Sequence, residues 1–516
     1  MFSSVRSVLA PSLDSFRLLL VAVTLLSSAQ SASAQKFYVD DPLLVDDDRA
    51  IDVGQPTAHA LSDMYDFIAN SFGKPGQRTP GRAENINTLG EVPDSSWFTN
   101  RHGRNRMPIE ALALGPDRND GPSEEGLWMV ISAKTEGLTP EFSIRDSNGD
   151  VYVIKFDPPD NAEMATAAEI ISTKFFHAMG YHVPENQLVY LERDRLRVEP
   201  GATVEAGLDD EVPMTEDDLD EILERTHRSE DGTYRAVASK FLDGRPLGPF
   251  QYSGTRSDDP NDIFIHENRR ELRGLRVLAS WLNHDDSRAI NGQDMVLTEN
   301  GTSFIRHHLI DFGSTLGSGS VTMQKHRAGW EYLWEPGTAL RRIVTLGLWD
   351  RQWIRINYPD IPSVGRFESE YFEPEGWKPE YPSVAFEKAD IEDTYGGAKI
   401  VMGFTDADVR TIVETGGLSD PGAEAYLIQR LIERRDKIGR HWFSLVNTAD
   451  NFRLTATELG FERLASTNGF GQPAASTTVT WARFDNQTSA TTDLGIAAPY
   501  TNTSITLPEP IQKIED

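Results

Sequence analysis

The chain has 516 residues and contains no cysteine. This absence excludes disulfide bonds, thiolate metal ligands and lipid attachment to a cysteine. A chain of this length can bury a sizeable core without crosslinks, so export would not require disulfides. Its length predicts two or three structural units.

Long hydrophobic runs are also missing. Near the amino terminus, Arg6 and Arg17 precede a short apolar run at 18–26, and the small-residue triplet Ala32-Ser33-Ala34 follows. This order is typical of a secretory signal peptide, and the run is far too short to span a bilayer. We therefore expect cleavage before Gln35 and export to the periplasm or the cell exterior, with no membrane anchor afterwards.

Positive charge is scarce. The 50 Lys and Arg residues face 80 Asp and Glu residues, which gives a formal net charge of −30. Such a surface repels nucleic acid and anionic lipid and favours solubility. We expect no nucleic-acid partner, although some of the acids could bind divalent cations. The 39% hydrophobic and 25% charged content is typical of a globular protein.

The first half of the chain alternates strand and helix signals after an N-terminal extension at 35–120. Residues 121–245 contain strand patterns at 127–133, 141–146 and 151–156, with a hairpin turn at Asn148-Gly149. A helix from about 161 to 179, the strand ENQLVYLE, an acidic insertion at 193–232 and a strand at 234–242 follow. This order indicates an α+β lobe.

A second, more helical region is predicted at 246–450. Its first helix carries a one-sided apolar stripe, made of Leu272, Leu275, Leu278 and Leu282. The region after 313 is irregular and aromatic up to about 400. A capping box at Thr405 and Asp408 and the pair Asp420-Pro421 predict two later helices. Residues 451–516 form a small β-rich tail.

The stretch NHDDSRAINGQD at 283–294 concentrates acids and amides behind the first of these helices. The turn Asn300-Gly301 predicts a hairpin that pairs 295 with 306 and Asn291 with Ile310. This register returns Asp311 to Asn291, with Asp286 just upstream. Oxygen-bearing side chains that meet in this way can build a divalent-cation site with a further carboxylate beside it.

These segments resemble a known family. HDDSRAIN matches the catalytic-loop pattern H-x-D-x-x-x-x-N of protein kinases, and DFG at 311–313 matches their metal-binding motif. VYVIK resembles the lysine motif of the third strand, and the helix after it offers Glu169, or alternatively Glu163, as the partner of Lys155. Together with AEIISTKFFHAMGYHVPE, these motifs resemble the atypical HipA-type and CotH-type branch of the kinase-like superfamily, over about 125–445.

The resemblance implies a two-lobed protein-kinase-like α+β fold that binds ATP with Mg²⁺ or Mn²⁺. Lys155, paired with Glu169, would hold the phosphates. Asp286 would be the catalytic base and His284 structural, and Asn291 and Asp311 would hold the metal. The remaining nucleotide contacts implied by the family are the phosphate-covering loop at Gly137 and the hinge SKFLDG at Lys240 and Leu242.

Two departures from the kinase pattern leave the function open. The phosphate-covering segment SAKTEGLTPE has a single glycine, and STLGSGS replaces the usual signature after DFG. The leading hypothesis is an exported phosphotransferase acting on a hydroxyl of a protein or small molecule. The alternatives are a non-catalytic binding or scaffold protein, and AMP transfer on the same fold. The acceptor, the metal and the oligomeric state remain open.

Overall fold

The computed structural model describes residues 48–87, 90–134, 140–205, 211–346, 348, 351–471, 476–485, 488 and 490–512. The signal peptide predicted at 1–34 and the predicted phosphate contact Gly137 lie outside these residues. The described chain has two compact units: residues 477–500 form one, and the rest of the described residues belong to the other. Among the described residues, no helix is long and apolar enough to span a bilayer.

The N-terminal extension contributes two short helices. Helix α1 covers Asp63–Ile68 and continues as a π-helical turn at Ala69–Gly73, and α2 covers Ile109–Leu114. The side chains of Trp97 and Phe98, which lie between the two helices in the chain, are buried. The Trp97 ring stacks on His307 with 3.5 Å between ring centroids, so the extension packs on the later part of the chain.

The first lobe is a seven-stranded sheet with a long helix against it. The strands and helices are β1 (Trp128–Lys134), β2 (Glu141–Arg145), β3 (Val151–Phe156), α3 (Met164–Met179), β4 (Asn186–Leu191), β5 (Leu196–Glu205), β6 (Glu211–Pro213), α4 (Glu216–Glu224) and β7 (Tyr234–Lys240). The strand order is β4-β7-β3-β2-β1-β5-β6. Three strands, a helix and two strands were predicted in this order, and the structure confirms them.

The acidic insertion extends this sheet, which the sequence did not indicate. Strand β5 lies within the insertion and pairs with β1 in parallel, and β6 pairs with β5. Helix α4 begins with a capping box in which Thr215 and Asp218 bond each other's backbone N–H groups. Its buried residues Leu219, Ile222 and Leu223 join the core of the lobe.

The second lobe is mainly helical. Its elements are β8 (Arg245–Gly248), α5 (Arg270–Leu282), β9 (Gly292–Glu299), β10 (Thr302–Leu309), α6 (Pro336–Val344), α7 (Val384–Lys388), α8 (Ile391–Met402), α9 (Asp406–Glu414) and α10 (Pro421–Phe443). The two-lobed α+β fold expected from the sequence is confirmed. The prediction of irregular structure up to about 400 was wrong for α6, α7 and α8.

The last described residues are rich in strands, as predicted. Strands β11 (Ala449–Leu454), β12 (Glu458–Arg463) and β15 (Ser504–Thr506) form one small sheet, with short helices α11 (Leu464–Thr467) and α12 (Glu509–Gln512) beside them in the chain. Strands β13 (Thr477–Asp485) and β14 (Ala490–Tyr500) form the separate hairpin unit.

Helix α3 ends at Gly180, which adopts a φ of 122°. A Cβ at this position would lie 2.3 Å from the Phe98 ring and 2.8 Å from the carbonyl oxygen of Thr99. We predict that Gly180→Ala lowers the free energy of unfolding by about 2 kcal/mol or more, because backbone strain and overpacking add. Equilibrium denaturation measures this change.

Gly149→Ala is the matched control. Gly149 also has a positive φ, of 91°, but no atom of the described residues, apart from its chain neighbours, lies within 4 Å of its Cβ position. It should cost only the backbone strain, about 1 kcal/mol. Equal losses for the two variants would show that the contact between Gly180 and the Phe98 segment contributes nothing.

Candidate active site

Lys155 lies where β3 faces helix α3. Along β3, Tyr152, Ile154 and Phe156 point into the core of the sheet lobe, so Lys155 points to the opposite face. Its Nζ lies 2.9 Å from Asp311 Oδ1 and 3.5 Å from Glu169 Oε2. Burial opposes the charge on Lys155, but the two carboxylates outweigh it and raise the pKa of the lysine. The ammonium group is therefore held permanently charged.

Glu169 is buried on α3, and its other contacts fix its position. Asn186 Nδ2 donates hydrogen bonds to Glu169 Oε1 at 2.9 Å and to Thr173 Oγ1 at 2.7 Å. Burial raises the pKa of Glu169, and Lys155 opposes that rise. The alternative partner Glu163 precedes the helix in a left-handed conformation, at 3.7 Å from Arg235 Nη1. The structure thus brings Glu169, and not Glu163, to Lys155.

Asp311 lies in a strained turn, and the next residue, Phe312, holds this turn in place. Its φ is 62°, in the left-handed region. The next residue, Phe312, is fully buried, with its ring stacked on Phe176 of α3 at 4.8 Å and lying 5.7 Å from the His284 ring. Burial lowers the pKa of His284 to about 4, so this side chain is neutral at pH 7 and packs as a structural residue.

The hairpin register predicted from the sequence is confirmed. Glu299 pairs with Thr302 and Met295 with Arg306. At the open end, the N–H of Ile310 donates to the carbonyl oxygen of Asn291 at 2.9 Å, so Asp311 follows directly. Asn291 Nδ2 in turn donates to the carbonyl oxygen of Asp286 at 2.9 Å. The loop 286–291 and the turn at 311 therefore meet, as the motif spacing indicated.

Asp286 is half-buried and has several charged groups around it. Burial raises its pKa to about 6, Arg288 opposes the rise, and Asp311 and Glu380 add to it. The neighbouring Asp285 is half-buried as well, and desolvation raises its pKa well above the usual range. A carboxyl group whose pKa lies near neutrality is suited to accept a proton from an acceptor hydroxyl.

Arg288 is a site residue that the sequence reasoning missed. Its Nε lies 2.5 Å from Asp286 Oδ1, and its Nη1 lies 3.3 Å from Glu380 Oε2 and 3.0 Å from Asp63 Oδ1. The guanidinium also lies 4.7 Å from the centroid of the Tyr381 ring. A signal was present, because an arginine two residues after Asp286 in an acidic loop must find carboxylate partners.

The contact with Asp63 brings the N-terminal extension into the site. Asp63 is the first residue of α1, and it also accepts a hydrogen bond from the Tyr381 hydroxyl at 3.0 Å. The sequence left the role of 35–120 unassigned. In the structure, part of this segment lies against the loop that carries Asp286.

The predicted hinge contacts lie apart from Lys155. Lys240 pairs with Tyr152 across the sheet whereas Lys155 pairs with Val237, and this parity places the Lys240 and Lys155 side chains on opposite faces. Lys240 Nζ instead lies 3.0 Å from Asp120 Oδ2. Leu242 follows two residues later, where the chain leaves β7. A nucleotide contact at this connection would have to involve backbone groups.

Asp311 and Asn291 each offer a side-chain oxygen of the kind that divalent cations prefer. Among the described residues, no group of three or more His, Cys, Asp or Glu side chains could hold a metal ion. Mg²⁺, however, is commonly held by one or two protein groups together with substrate phosphates. The Asp311 side chain is 47% exposed, and Asn291 donates through Nδ2, which leaves its amide oxygen for a ligand. The donor set thus suits a cation that arrives with phosphate.

Comparisons with known proteins give little further information. No protein-family model matches the chain, and no curated protein is similar to it in sequence. A solved structure of the Helicobacter pylori proinflammatory kinase CtkA is similar at a TM-score of 0.31 and 13% identity, over 61% of this chain and 99% of that one. A similarity this low carries no argument about function, so the function must be inferred from the site itself.

The raised pKa of Asp286 predicts a pH-dependent stability. The folded pKa is about 6 and the ordinary value is 3.8, so between them the folded protein holds a proton that the unfolded chain has lost. The contribution of Asp286 to stability therefore falls as pH rises through this window. We predict that the free energy of unfolding of the wild type, relative to Asp286→Asn, falls by about 1–3 kcal/mol from pH 4 to pH 7.

Denaturation curves across this pH range measure the difference. Arg288→Gln provides a second test, because Arg288 lowers the pKa of Asp286. Without this cation, the loss of stability should occur at higher pH. A difference that stays flat with pH, or that rises, would contradict the raised pKa of Asp286.

Proposed function

We propose that the protein is a phosphotransferase that moves the γ-phosphoryl group of ATP, with Mg²⁺ or Mn²⁺, to a hydroxyl group of a protein or small molecule. One observation carries this proposal. Lys155 contacts both Glu169 and Asp311, and the loop that bears Asp286 and Asn291 meets the same turn. Phosphoryl transfer needs this combination of a fixed cation, metal-binding oxygens and a separate carboxylate.

Lys155 supplies the fixed positive charge for the phosphates. Its two carboxylate partners come from a helix and from a turn after a strand, so the ammonium group is positioned from two directions. Asp311 and Asn291 would hold the cation, which neutralises charge on the phosphates. A pre-positioned set of charges of this kind lowers the barrier because no reorganisation is needed during the reaction.

Asp286 is the proposed catalytic base. In the transfer, the acceptor oxygen forms a bond to the γ-phosphorus, the bond to the bridging oxygen of ADP breaks, and the hydroxyl proton passes to Asp286. Its pKa of about 6 leaves most of the carboxylate ionised at pH 7. Arg288 engages the same carboxylate in this structure, so it must share or release Asp286 when the acceptor binds.

The proposal includes export. The signal-peptide pattern at 1–34 would place the enzyme in the periplasm or outside the cell. ATP is scarce there, which motivates the alternative of a non-catalytic binding protein. AMP transfer is the other alternative, and only the labelled phosphate distinguishes it from phosphoryl transfer.

Binding of nucleotide to the mature protein is the first prediction of this proposal. A ligand that binds only the folded state raises its stability. We expect Mg-ATP or Mn-ATP to raise the melting temperature of the wild type, and Asp311→Asn to abolish the increase, because it removes a metal ligand and a partner of Lys155. Differential scanning fluorimetry measures both effects.

Asp220→Asn is the control, since Asp220 also pairs with a basic side chain but lies in the insertion, on α4. It should keep the wild-type response. Transfer assays with α- and γ-labelled ATP then follow. Transfer of label from the γ-position supports phosphoryl transfer, and transfer of label from the α-position supports AMP transfer. If neither Mg-ATP nor Mn-ATP stabilises the wild type, the catalytic proposal is wrong.

The two candidate partners of Lys155 make a sharper test. Glu169→Gln removes a charge 3.5 Å from Lys155 Nζ, whereas Glu163→Gln removes one that faces Arg235. We expect Glu169→Gln to weaken ATP affinity by roughly tenfold, which corresponds to the loss of one charged contact. Glu163→Gln should bind ATP like the wild type, and calorimetric titration compares them. Similar losses in both variants would contradict the assignment of Glu169.

A further inference from the structure

A cavity lies on the outer side of Arg288, between the N-terminal extension and the loop that carries Asp286. Its volume is about 230 Å³. Helix α1 and the turn after it form one wall, and the segments 251–253, 287–289 and 381–383 form the others. None of Lys155, Glu169 and Asp311 lines it, so it is distinct from the proposed phosphate site.

Two buried oxygens at this cavity have no hydrogen-bond partner. Asp66 is 4% exposed, and burial raises its pKa while the nearby backbone N–H of Ala289 opposes that rise. Its Oδ1 accepts from Asn70 Nδ2 at 2.7 Å, but its Oδ2 makes no hydrogen bond of good geometry among the described residues. Ser383 is 5% exposed, and its Oγ also lacks one in the described part of the chain. Buried polar atoms are normally paired, so unpaired ones beside a cavity indicate a missing ligand.

The lining determines the chemistry of that ligand. The free oxygen of Asp66 accepts a hydrogen bond, while the guanidinium of Arg288, which Asp286, Glu380 and Asp63 already hold, offers only donors and repels a cation. A hydroxyl group both donates and accepts, and it carries no charge. The side chains of Tyr65, Tyr252 and Tyr381 also line the cavity and offer aromatic faces and hydroxyl groups. Cavities for drug-sized ligands are larger, about 300–1,000 Å³, so a single small ring fits best.

We propose that this cavity binds the acceptor and that the acceptor is a small polyhydroxylated ring, of the sugar or cyclic polyol class. This inference rests on the proposed phosphotransferase function. Arg288 lines the cavity and lies 2.5 Å from Asp286, so one side chain separates the bound ring from the base. Once Arg288 releases Asp286, a hydroxyl of the ring attacks the γ-phosphorus, its proton passes to Asp286, the bond from that phosphorus to the bridging oxygen breaks, and ADP leaves.

The test measures binding to the mature full-length protein without nucleotide. Saturation-transfer NMR with D-ribose, D-glucose and myo-inositol detects weak binding of each probe. We expect saturable binding of at least one probe, weakened roughly tenfold by Asp66→Asn, since the variant replaces a charged acceptor by a neutral one. Tyr65→Ala should weaken it too, and because Tyr65 is 66% exposed this variant leaves the fold intact.

Glu110→Gln is the control, because Glu110 is an exposed acid of the same extension, on α2. It should bind the probe like the wild type. Failure of all three probes, or binding that survives both Asp66→Asn and Tyr65→Ala, overturns the cavity as a polyol site.

Formation of ADP from Mg-ATP, with and without the bound probe, separates this proposal from the one it rests on. ADP formation that the probe stimulates supports both. Stabilisation by Mg-ATP without any binding of a polyol overturns only the acceptor assignment. Binding of a polyol without nucleotide binding overturns the phosphotransferase, and ADP formation that only a polypeptide stimulates assigns the cavity to another role.

Discussion

The charged triad of Lys155, Glu169 and Asp311 is the constraint on which the arrangement of the site depends. A buried charge is tolerated only when it is paired, and Glu169, whose side chain is 2% exposed, is paired with Lys155 at 3.5 Å. The three residues come from a strand, a helix and a turn, so their pairing fixes those elements relative to one another. Apolar neighbours such as Phe312 hold each element close enough for the pairing to form.

Local signals in the sequence were sufficient to predict the hairpin that places Asp311 beside Asn291. The turn Asn300-Gly301 set the hairpin register, and the register alone brought Asp311 next to Asn291. The choice between Glu169 and Glu163 could not be made in the same way. It depends on the first residue of α3, and Glu163 precedes that helix without a side-chain cap that the sequence could reveal.

Long-range contacts account for what the sequence could not predict. Helix α8 contains Gly396-Gly397, which lowers helix propensity, yet it packs so closely on α5 that a Cβ on Gly397 would lie 2.9 Å from the carbonyl oxygen of Gly274. Gly397 is thus required by packing that no local pattern shows. The contact between Asp63 and Arg288 could not be predicted either, because it joins segments far apart in the chain. The sequence around each residue gives no indication of the other.

The arginine of this contact, Arg288, also explains why so many acids can lie at the end of α5. Burial raises the pKa values of Asp285 and Asp286, the charge of Glu380 adds to both rises, and the charge of Arg288 opposes both. Arg288 divides its charge among Asp286, Glu380 and Asp63. An anionic substrate that attracts Arg288 would therefore weaken its hold on Asp286 and raise the basicity of that carboxylate. In this arrangement the extension, through Asp63, sets how strongly Arg288 restrains the proposed base.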